Sequence, residues 1–238
     1  MSSEKKALII DFDHTLAYTE HYKQDFINLA EKILDLSKKD IRNRLLDLTQ
    51  EIRKGNYLLS SEDFVKRVVG DKFDEIKYEE MIKENEKLLE NFSKYIPQEA
   101  LDFLNKIKEK GFEIIIYTYG EKNFQKTKIK HSGILKEIED IDVIYTQENK
   151  RDKILELIKN KGIERGYFIN DNFRENEEVE TFLKNQNYEA IRVINKLPPY
   201  RKDPIDSDKI IFHNFSEILE FIENQELEKE VKQEFRTK

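Results

Sequence analysis

The segment Ala7–Leu16 reads ALIIDFDHTL and sets the pattern for the rest of the chain. Its first four residues are apolar, as in a strand that is covered on both faces, and two carboxylates follow at once. Asp11 and Asp13 are two positions apart, so both point to the same side if the strand continues. In open α/β sheets, ligands bind beyond the carboxyl ends of the strands. The segment therefore predicts a sheet strand with an acidic site at its end, although acids that merely end a strand in water are an alternative.

Five further β-branched runs follow along the chain, and helical patterns lie between most of them. Pro97 can open a helix as its first residue, and Gly111 supplies a stop before the next run. This β-α-β-α order predicts the α/β class, with a doubly wound, Rossmann-like core built on a parallel sheet. The further strands are predicted at Phe112–Tyr117, Ile141–Tyr145, Tyr167–Ile169, Ala190–Ile194 and Ile210–Phe212, and the later helices at 121–135, 152–160, 175–184 and 215–223.

Residues 17–95 break this order. Their apolar residues repeat at helical spacing, and Ser37 with Asp40 and Ser60 with Asp63 resemble capping boxes at helix starts. A stretch of about 80 residues between the first two strands is too long for a simple crossover connection. We expect an inserted all-helical subdomain at 17–95, an α/β core at 1–16 and 96–223, and a polar tail at 224–238 that is either a solvated helix extension or disordered.

The composition excludes several classes of protein. The 238 residues include 38% charged residues with a net charge of −7, which argues against broad binding to nucleic acid or anionic membranes. Zero cysteines exclude disulfides and thiolate chemistry, and the 7 glycines form neither of the common phosphate-loop patterns. Without a membrane-length apolar run or a cleavable leader, we expect a cytoplasmic location. We expect a solvated helix face, rather than an anion patch, for Lys122, Lys126, Lys128 and Lys130.

The predicted second strand ends in Thr118, followed by Tyr119 and Gly120. A threonine hydroxyl and the neighbouring N–H groups can hold a phosphoryl oxygen, and a glycine lets the backbone approach an anion. Threonine is also a common strand residue without any such role. The segment is therefore a candidate anion site only in combination with the other strand ends.

The third and fourth strands are followed by a cation and by two acids. Lys150 comes shortly after the third strand, with Lys153 as the alternative, although any loop in a lysine-rich chain can place a cation there. Asp171 ends the fourth strand, and Glu175 follows four residues later. Hard oxygen donors near Asp11 would suit Mg²⁺, which takes one or two carboxylates and keeps several waters.

These four motifs, each at a strand end, together resemble the haloacid dehalogenase superfamily. That family carries D-x-D-x-[TV], a Ser or Thr, a Lys or Arg, and a second acidic pair in this order. The match runs from Ile10 to Glu175, and the helical insertion resembles the family's C1-type cap. The chain departs from the family's frequent residues at three positions, namely His14 and Asn170, where glycine is common, and Glu175, where aspartate is common.

The resemblance implies a role for each matched residue. Asp11 would attack phosphorus to form an aspartyl-phosphate, and Asp13 would act first as general acid and then as general base. Thr118 and Lys150 would neutralise the phosphoryl oxygens. The implied substrate contacts are Thr118, Tyr119, Gly120 and His14, and the implied Mg²⁺ ligands are Asp11, Asp13 through its carbonyl, Asp171 and Glu175.

The implied activity is Mg²⁺-dependent hydrolysis of a small phosphorylated metabolite. A phosphomutase or another phosphotransferase of the same superfamily would keep all these groups, so it stays open as an alternative. A 2-haloacid dehalogenase is less favoured, because a halide leaves without a proton and gains nothing from a second acid or from Mg²⁺. A phospho-accepting regulatory domain and a non-catalytic binding protein are the remaining alternatives.

Overall fold

Six strands form one parallel sheet in the computed structural model, which describes residues 4–53, 60–70, 74–146, 150–183, 187–194 and 210–236. The spatial order is β3-β2-β1-β4-β5-β6, so β1 is central. Strands β2 and β3 lie on one side of β1, and β4, β5 and β6 lie on the other. All six predicted strands are present, and the α/β prediction is confirmed. The strands are β1 Lys6–Asp11, β2 Glu113–Tyr119, β3 Ile141–Thr146, β4 Arg165–Asn170, β5 Asn187–Val193 and β6 Ile211–Phe212.

The segment between β1 and β2 begins with four helices and one 3₁₀ turn, Phe92–Tyr95. The predicted caps are present: the Ser37 hydroxyl accepts the Asp40 N–H at 3.1 Å, and the Ser60 hydroxyl accepts the Asp63 N–H at 3.0 Å. The described part of 17–95 thus follows the predicted helical pattern, while its division from the core stays a prediction. The helices are α1 Thr19–Leu34, α2 Lys38–Arg53, α3 Ser61–Val69 and α4 Glu75–Glu90.

Six further helices alternate with the later strands or follow them. The predicted helix at 121–135 is divided in two, because Gly133 adopts a φ of 84° that ends the helical path. The last helix continues without a break to Arg236, so the tail is a helix extension over the described residues. No helix in the described ranges combines the length and apolar character needed to cross a membrane. These helices are α5 Gln98–Glu109, α6 Lys122–His131, α7 Ile134–Glu137, α8 Lys150–Lys161, α9 Phe173–Leu183 and α10 Phe215–Arg236.

Both faces of the sheet are buried, which explains why β1 is continuously apolar. Leu8 and Ile10 belong to a core that includes residues of the helical insertion, α5 and α10, whereas Ala7 and Ile9 pack with residues of α8 and α9. Gly166 allows β4 to approach β1, since a Cβ there would lie 2.1 Å from the carbonyl oxygen of Ala7. This tight central pair fixes where the ends of β1 and β4 lie.

Candidate active site

Three predicted site residues meet at the carboxyl edge of the sheet. Asp11 is the last residue of β1 and is paired in register with Tyr117 of β2. Thr118 is the next residue of β2, and Asp171 directly follows β4, the neighbour of β1 on its other side. All three side chains are buried. The sheet order therefore brings the first, second and fourth motifs together at adjacent strand ends.

Asp171 is held beside the loop that follows Asp11. Its backbone N–H donates to the Thr15 hydroxyl at 3.1 Å, and its Oδ1 lies 3.5 Å from the same hydroxyl. Its carbonyl accepts the Nε–H of Arg192 at 3.2 Å. Because Thr15 is fully buried, these contacts fix the position of Asp171 relative to the segment that carries Asp11 and Asp13.

Glu175 lies in the first turn of α9 and contacts the loop that carries Asp171. Its two carboxylate oxygens accept hydrogen bonds from the side-chain amides of Asn170 at 2.7 Å and Asn172 at 3.1 Å. Asn170, which stands where the family often has glycine, is thus part of a local hydrogen-bond network. These contacts orient the Asp171 loop, and the predicted role of Glu175 as a metal ligand stays a prediction.

The Asp13 carboxylate accepts hydrogen bonds from three different side chains. Lys128 donates to Oδ1 at 2.6 Å and to Oδ2 at 2.5 Å. The Thr19 hydroxyl donates to Oδ1 at 2.8 Å, and the Gln125 amide donates to Oδ2 at 3.1 Å. Thr19 begins α1, while Gln125 and Lys128 lie on α6. The second carboxylate of the first motif is therefore fixed by both the helical insertion and a core helix.

These contacts decide the charge of Asp13. Burial opposes its ionisation, but the Lys128 ammonium outweighs that penalty and holds the pKa of Asp13 well below its usual range. Burial in turn lowers the pKa of Lys128, and the neighbouring Asp13 and Asp11 carboxylates oppose that shift. Asp13 is consequently an anion in this arrangement.

His14 occupies a strained position next to these groups. Its φ of 63° lies in the left-handed region, which a non-glycine residue adopts at a cost. Burial lowers the pKa of His14 to about 4, a shift that nearby Lys23 reinforces and Asp13 and Glu20 oppose, so the imidazole is neutral at pH 7. A neutral imidazole can donate or accept a hydrogen bond, and the predicted substrate contact of His14 stays a prediction.

The predicted anion-binding segment, residues 118–120, includes a buried hydroxyl near the end of β2. The Thr118 hydroxyl is buried and makes no hydrogen bond to any described residue. The Gly120 N–H donates to the Thr146 carbonyl at 2.8 Å, and its missing Cβ makes room for Gln125. The predicted substrate contacts of Thr118, Tyr119 and Gly120 stay predictions, and a threonine hydroxyl can donate a hydrogen bond to a bound group.

The structure describes the backbone but not the side chain of Lys150, the predicted third-motif cation. Lys150 is the first residue of α8, and its side chain lies outside the described residues. Lys153, the alternative, pairs with Glu156 on the surface of the same helix at 3.1 Å. The choice of Lys150 stays a prediction.

The sequence-based prediction of the site did not include three residues that contact Asp13, namely Thr19, Gln125 and Lys128. The expectation of a solvated lysine face is wrong for Lys128, whose side chain is buried, and holds for the exposed Lys122, Lys126 and Lys130. A signal was present, because positions 124, 125, 128 and 129 form one helix face with Phe124 and Ile129 on it. A lysine in that apolar face needs a buried counter-charge, which Asp13 supplies.

The residues at this edge fit a magnesium ion. Within the described parts of the chain, no three Asp, Glu or His side chains converge as a complete metal cage. Mg²⁺ does not need one, since it typically takes one or two carboxylates and keeps several waters. Asp11 and Asp171 are buried carboxylates at adjacent strand ends, whereas the Asp13 carboxylate is occupied by Lys128, leaving its carbonyl as the donor on that residue.

The model of the family "haloacid dehalogenase-like hydrolase" matches residues 5–174 of this chain, which include the first, second and third motifs and Asp171. The chain belongs to this family. No curated protein matches it. As a haloacid dehalogenase-like hydrolase it is an enzyme by family, and the resemblance stated from its motifs is confirmed, while the type of its cap is not.

Solved structures share the haloacid dehalogenase-like fold at low sequence identity. A haloacid dehalogenase-like hydrolase from Burkholderia xenovorans superposes with a TM-score of 0.68 at 15% identity, covering 91% of this chain and 98% of that one. A hydrolase of the same superfamily from Bacillus subtilis, described as bound to magnesium, gives 0.58 at 14% identity over 92% and 99%. A predicted phosphoglycolate phosphatase from Haemophilus somnus gives 0.55 at 13% identity over 93% and 100%. Other matches are described as dehalogenases, so the fold alone does not choose the reaction.

Proposed function

We propose that this protein is a Mg²⁺-dependent phosphatase that hydrolyses a small phosphorylated metabolite through an aspartyl-phosphate on Asp11. The observation that carries the proposal is the fixed second carboxylate, Asp13, beside Asp11 at the end of β1. A phosphate ester leaves as an alkoxide that needs a proton, and a water must later lose one. A halide leaves without a proton, so a fixed second carboxylate at Asp13 favours ester hydrolysis over dehalogenation.

Each residue of the site has a step to perform. The Asp11 carboxylate attacks phosphorus, the alcohol leaves, and water then hydrolyses the acyl phosphate. In the second step Asp13 accepts a proton from the attacking water, and the proton that it then carries is the one it donates to the leaving oxygen of the next substrate. Asp13 is an anion in this structure, which is the state required for the second step. Thr118, whose buried hydroxyl makes no hydrogen bond within the described parts of the chain, is suited to donate to a phosphoryl oxygen.

Asp11, Asp171 and the Asp13 carbonyl are the groups that would hold Mg²⁺. When bound, the ion supplies positive charge that offsets the repulsion between the carboxylate nucleophile and the phosphate dianion. Thr15 keeps Asp171 in position for this purpose through its contact with the Asp171 backbone and carboxylate. The helical insertion, acting as the cap, would select the leaving group and exclude water, and Lys150 would add a cation to the phosphoryl site.

Phosphate release from p-nitrophenyl phosphate with and without Mg²⁺ tests the proposal. We expect turnover that depends on Mg²⁺ and falls at least about 1,000-fold in Asp11→Asn, because the amide cannot form the covalent intermediate. Asp47→Asn, on the exposed face of α2, is the matched control and should retain wild-type activity. Equal phosphate release by wild type and Asp11→Asn would refute the assignment.

The alternatives give different products in the same assay series. A phosphomutase would move the phosphoryl group to a second hydroxyl of a sugar phosphate and release little inorganic phosphate. A dehalogenase would release chloride from 2-chloropropionate without Mg²⁺. A screen of phosphorylated metabolites with the wild-type protein then identifies the leaving group that the insertion accepts.

A further inference from the structure

The Asp13 carboxylate accepts four hydrogen bonds from described residues, one of them from the helical insertion. Lys128 contacts both oxygens, while Thr19 adds a donor to Oδ1 and Gln125 adds one to Oδ2. With contacts on both of its oxygens, the carboxylate has little freedom of rotation. The side chain is therefore fixed in one orientation, and two of its three donor residues come from α6.

Lys128 occupies a buried position, which costs folding free energy unless its charge is paired. Its side chain is only 4% exposed, and its ammonium lies 5.4 Å from the ring centre of Phe124 and 5.8 Å from that of Phe12. Burying an ammonium costs several kcal/mol unless a counter-charge is in contact with it. The other three lysines of the helix, Lys122, Lys126 and Lys130, are exposed, so a charge on α6 does not by itself require burial at position 128.

Gln125 connects the second motif to Asp13. Its amide nitrogen donates both to Oδ2 of Asp13 and to the carbonyl of Tyr119, each at 3.1 Å. The side chain fills the space beside Gly120, where a Cβ would lie 2.8 Å from the Gln125 amide nitrogen. Gly120 and Gln125 are thus matched in shape, and the end of β2 is tied through them to the carboxylate that follows β1.

We propose that Lys128 and Gln125 are positioning residues for Asp13, which hold its carboxylate where it can serve the leaving group and the attacking water. The inference rests on the proposed phosphatase function, in which Asp13 transfers protons. It adds a requirement that the four motifs do not contain, namely two side chains of α6 at a spacing of three residues. Neither residue has to touch the substrate for the effect, since both act through Asp13.

The first test compares Lys128→Met with Lys130→Met, an exposed lysine two residues further along α6. General acid–base catalysis contributes about 100- to 10,000-fold to rate, so loosening the group that performs it should cost about 10- to 100-fold in kcat. We expect KM to change less than about 3-fold, because the substrate contacts remain. Lys130→Met should match the wild type in both constants, and thermal unfolding of each variant establishes that the proteins are folded.

The second test separates action through Asp13 from a general structural effect. In an Asp13→Ala background, Lys128→Met should lower kcat by less than about 2-fold, since the residue through which it acts is gone. Gln125→Ala is a second variant, and it neither buries nor exposes a charge. Gln125→Ala should lower kcat about 10-fold in the wild-type background and by less than about 2-fold in the Asp13→Ala background.

The outcomes distinguish the two proposals. If wild type releases no phosphate from any ester tested, the proposed function fails, and the positioning role fails with it. If wild type is active while Lys128→Met and Gln125→Ala behave like Lys130→Met, the phosphatase stands and the positioning role is refuted. An equal loss from Lys128→Met with and without the Asp13 carboxylate also refutes it, because Lys128 then acts elsewhere.

Discussion

Arg165, the first residue of β4, organises a partly buried cluster of charges at the edge of the sheet opposite the candidate active site. Its guanidinium makes two parallel hydrogen bonds to Glu226 of α10, one of them at 2.7 Å, and a third to Glu4. Lys6 of β1 adds a contact to Glu226 at 2.9 Å. The Glu226 side chain is only 12% exposed. A single carboxylate therefore joins the last helix to two central strands.

The stability that Glu226 contributes follows from its titration. Burial opposes its ionisation, but the hydrogen bonds and charges of Arg165 and Lys6 outweigh that penalty and lower the pKa of Glu226 to about 2, from an ordinary 4.5. That difference corresponds to about 3 kcal/mol of folding free energy, of which we expect about 2 kcal/mol after solvent screening. Because the pKa is lower in the folded chain, the contribution is complete above pH 4.5. It declines as the pH falls towards 2.

Urea unfolding of wild type and Glu226→Gln, followed by circular dichroism, measures this contribution. We expect Glu226→Gln to be less stable by about 2 kcal/mol at pH 7.0 and at pH 5.5, and the gap to shrink by about half at pH 3.5. Glu230→Gln, an exposed position on the same helix, should differ from wild type by less than about 0.5 kcal/mol. A gap that is unchanged or wider at pH 3.5 would refute the assignment of the stability to an ionised Glu226.

Two further substitutions probe the site and the sheet that carries it. Thr15→Val removes the acceptor of the Asp171 N–H, so we expect about 10- to 100-fold weaker Mg²⁺ activation of phosphate release. Unaltered activation would contradict the positioning of Asp171 by Thr15. Gly166→Ala places a Cβ against the Ala7 carbonyl, so we expect a loss of about 3 kcal/mol or more in urea unfolding. Gly162→Ala, which has a φ of 63° but open space around it, should cost only about 1–2 kcal/mol, and an equal loss at both glycines would show that steric contact is not the cause.

The sheet could be predicted from sequence because its strands are buried on both faces. A short, continuous apolar run such as Ile114–Tyr117 indicates a strand that is covered on both faces. The helices between such strands then imply a parallel order. The motif residues Asp11, Thr118 and Asp171 were predictable for the same reason, since each directly ends or follows such a strand. The division of the predicted helix at Gly133 was not, because one glycine is compatible with either outcome.

The surroundings of Asp13 could not be predicted, because they depend on how distant segments pack. Lys128 is 115 residues from Asp13 in sequence, and nothing local distinguishes it from Lys126 or Lys130 except its place on an apolar helix face. Helical periodicity alone assigns lysine to solvent, and that rule fails when a carboxylate supplies a counter-charge in the core. The sequence gives even less indication of the role of Gln125, since that role depends on the space beside Gly120.

The donors of Asp13 also define what a movement of the helical insertion could change. Thr19 begins α1, so its hydrogen bond to Oδ1 depends on the position of the insertion relative to β1. Gln125 and Lys128 belong to α6, which follows β2 directly and is tied to it by the Gln125 contact with the Tyr119 carbonyl. A shift of α1 would therefore remove one donor and leave Lys128 and Gln125 in place. Under the proposed function, these two residues of the core would keep Asp13 oriented beside Asp11 while the insertion served the leaving group.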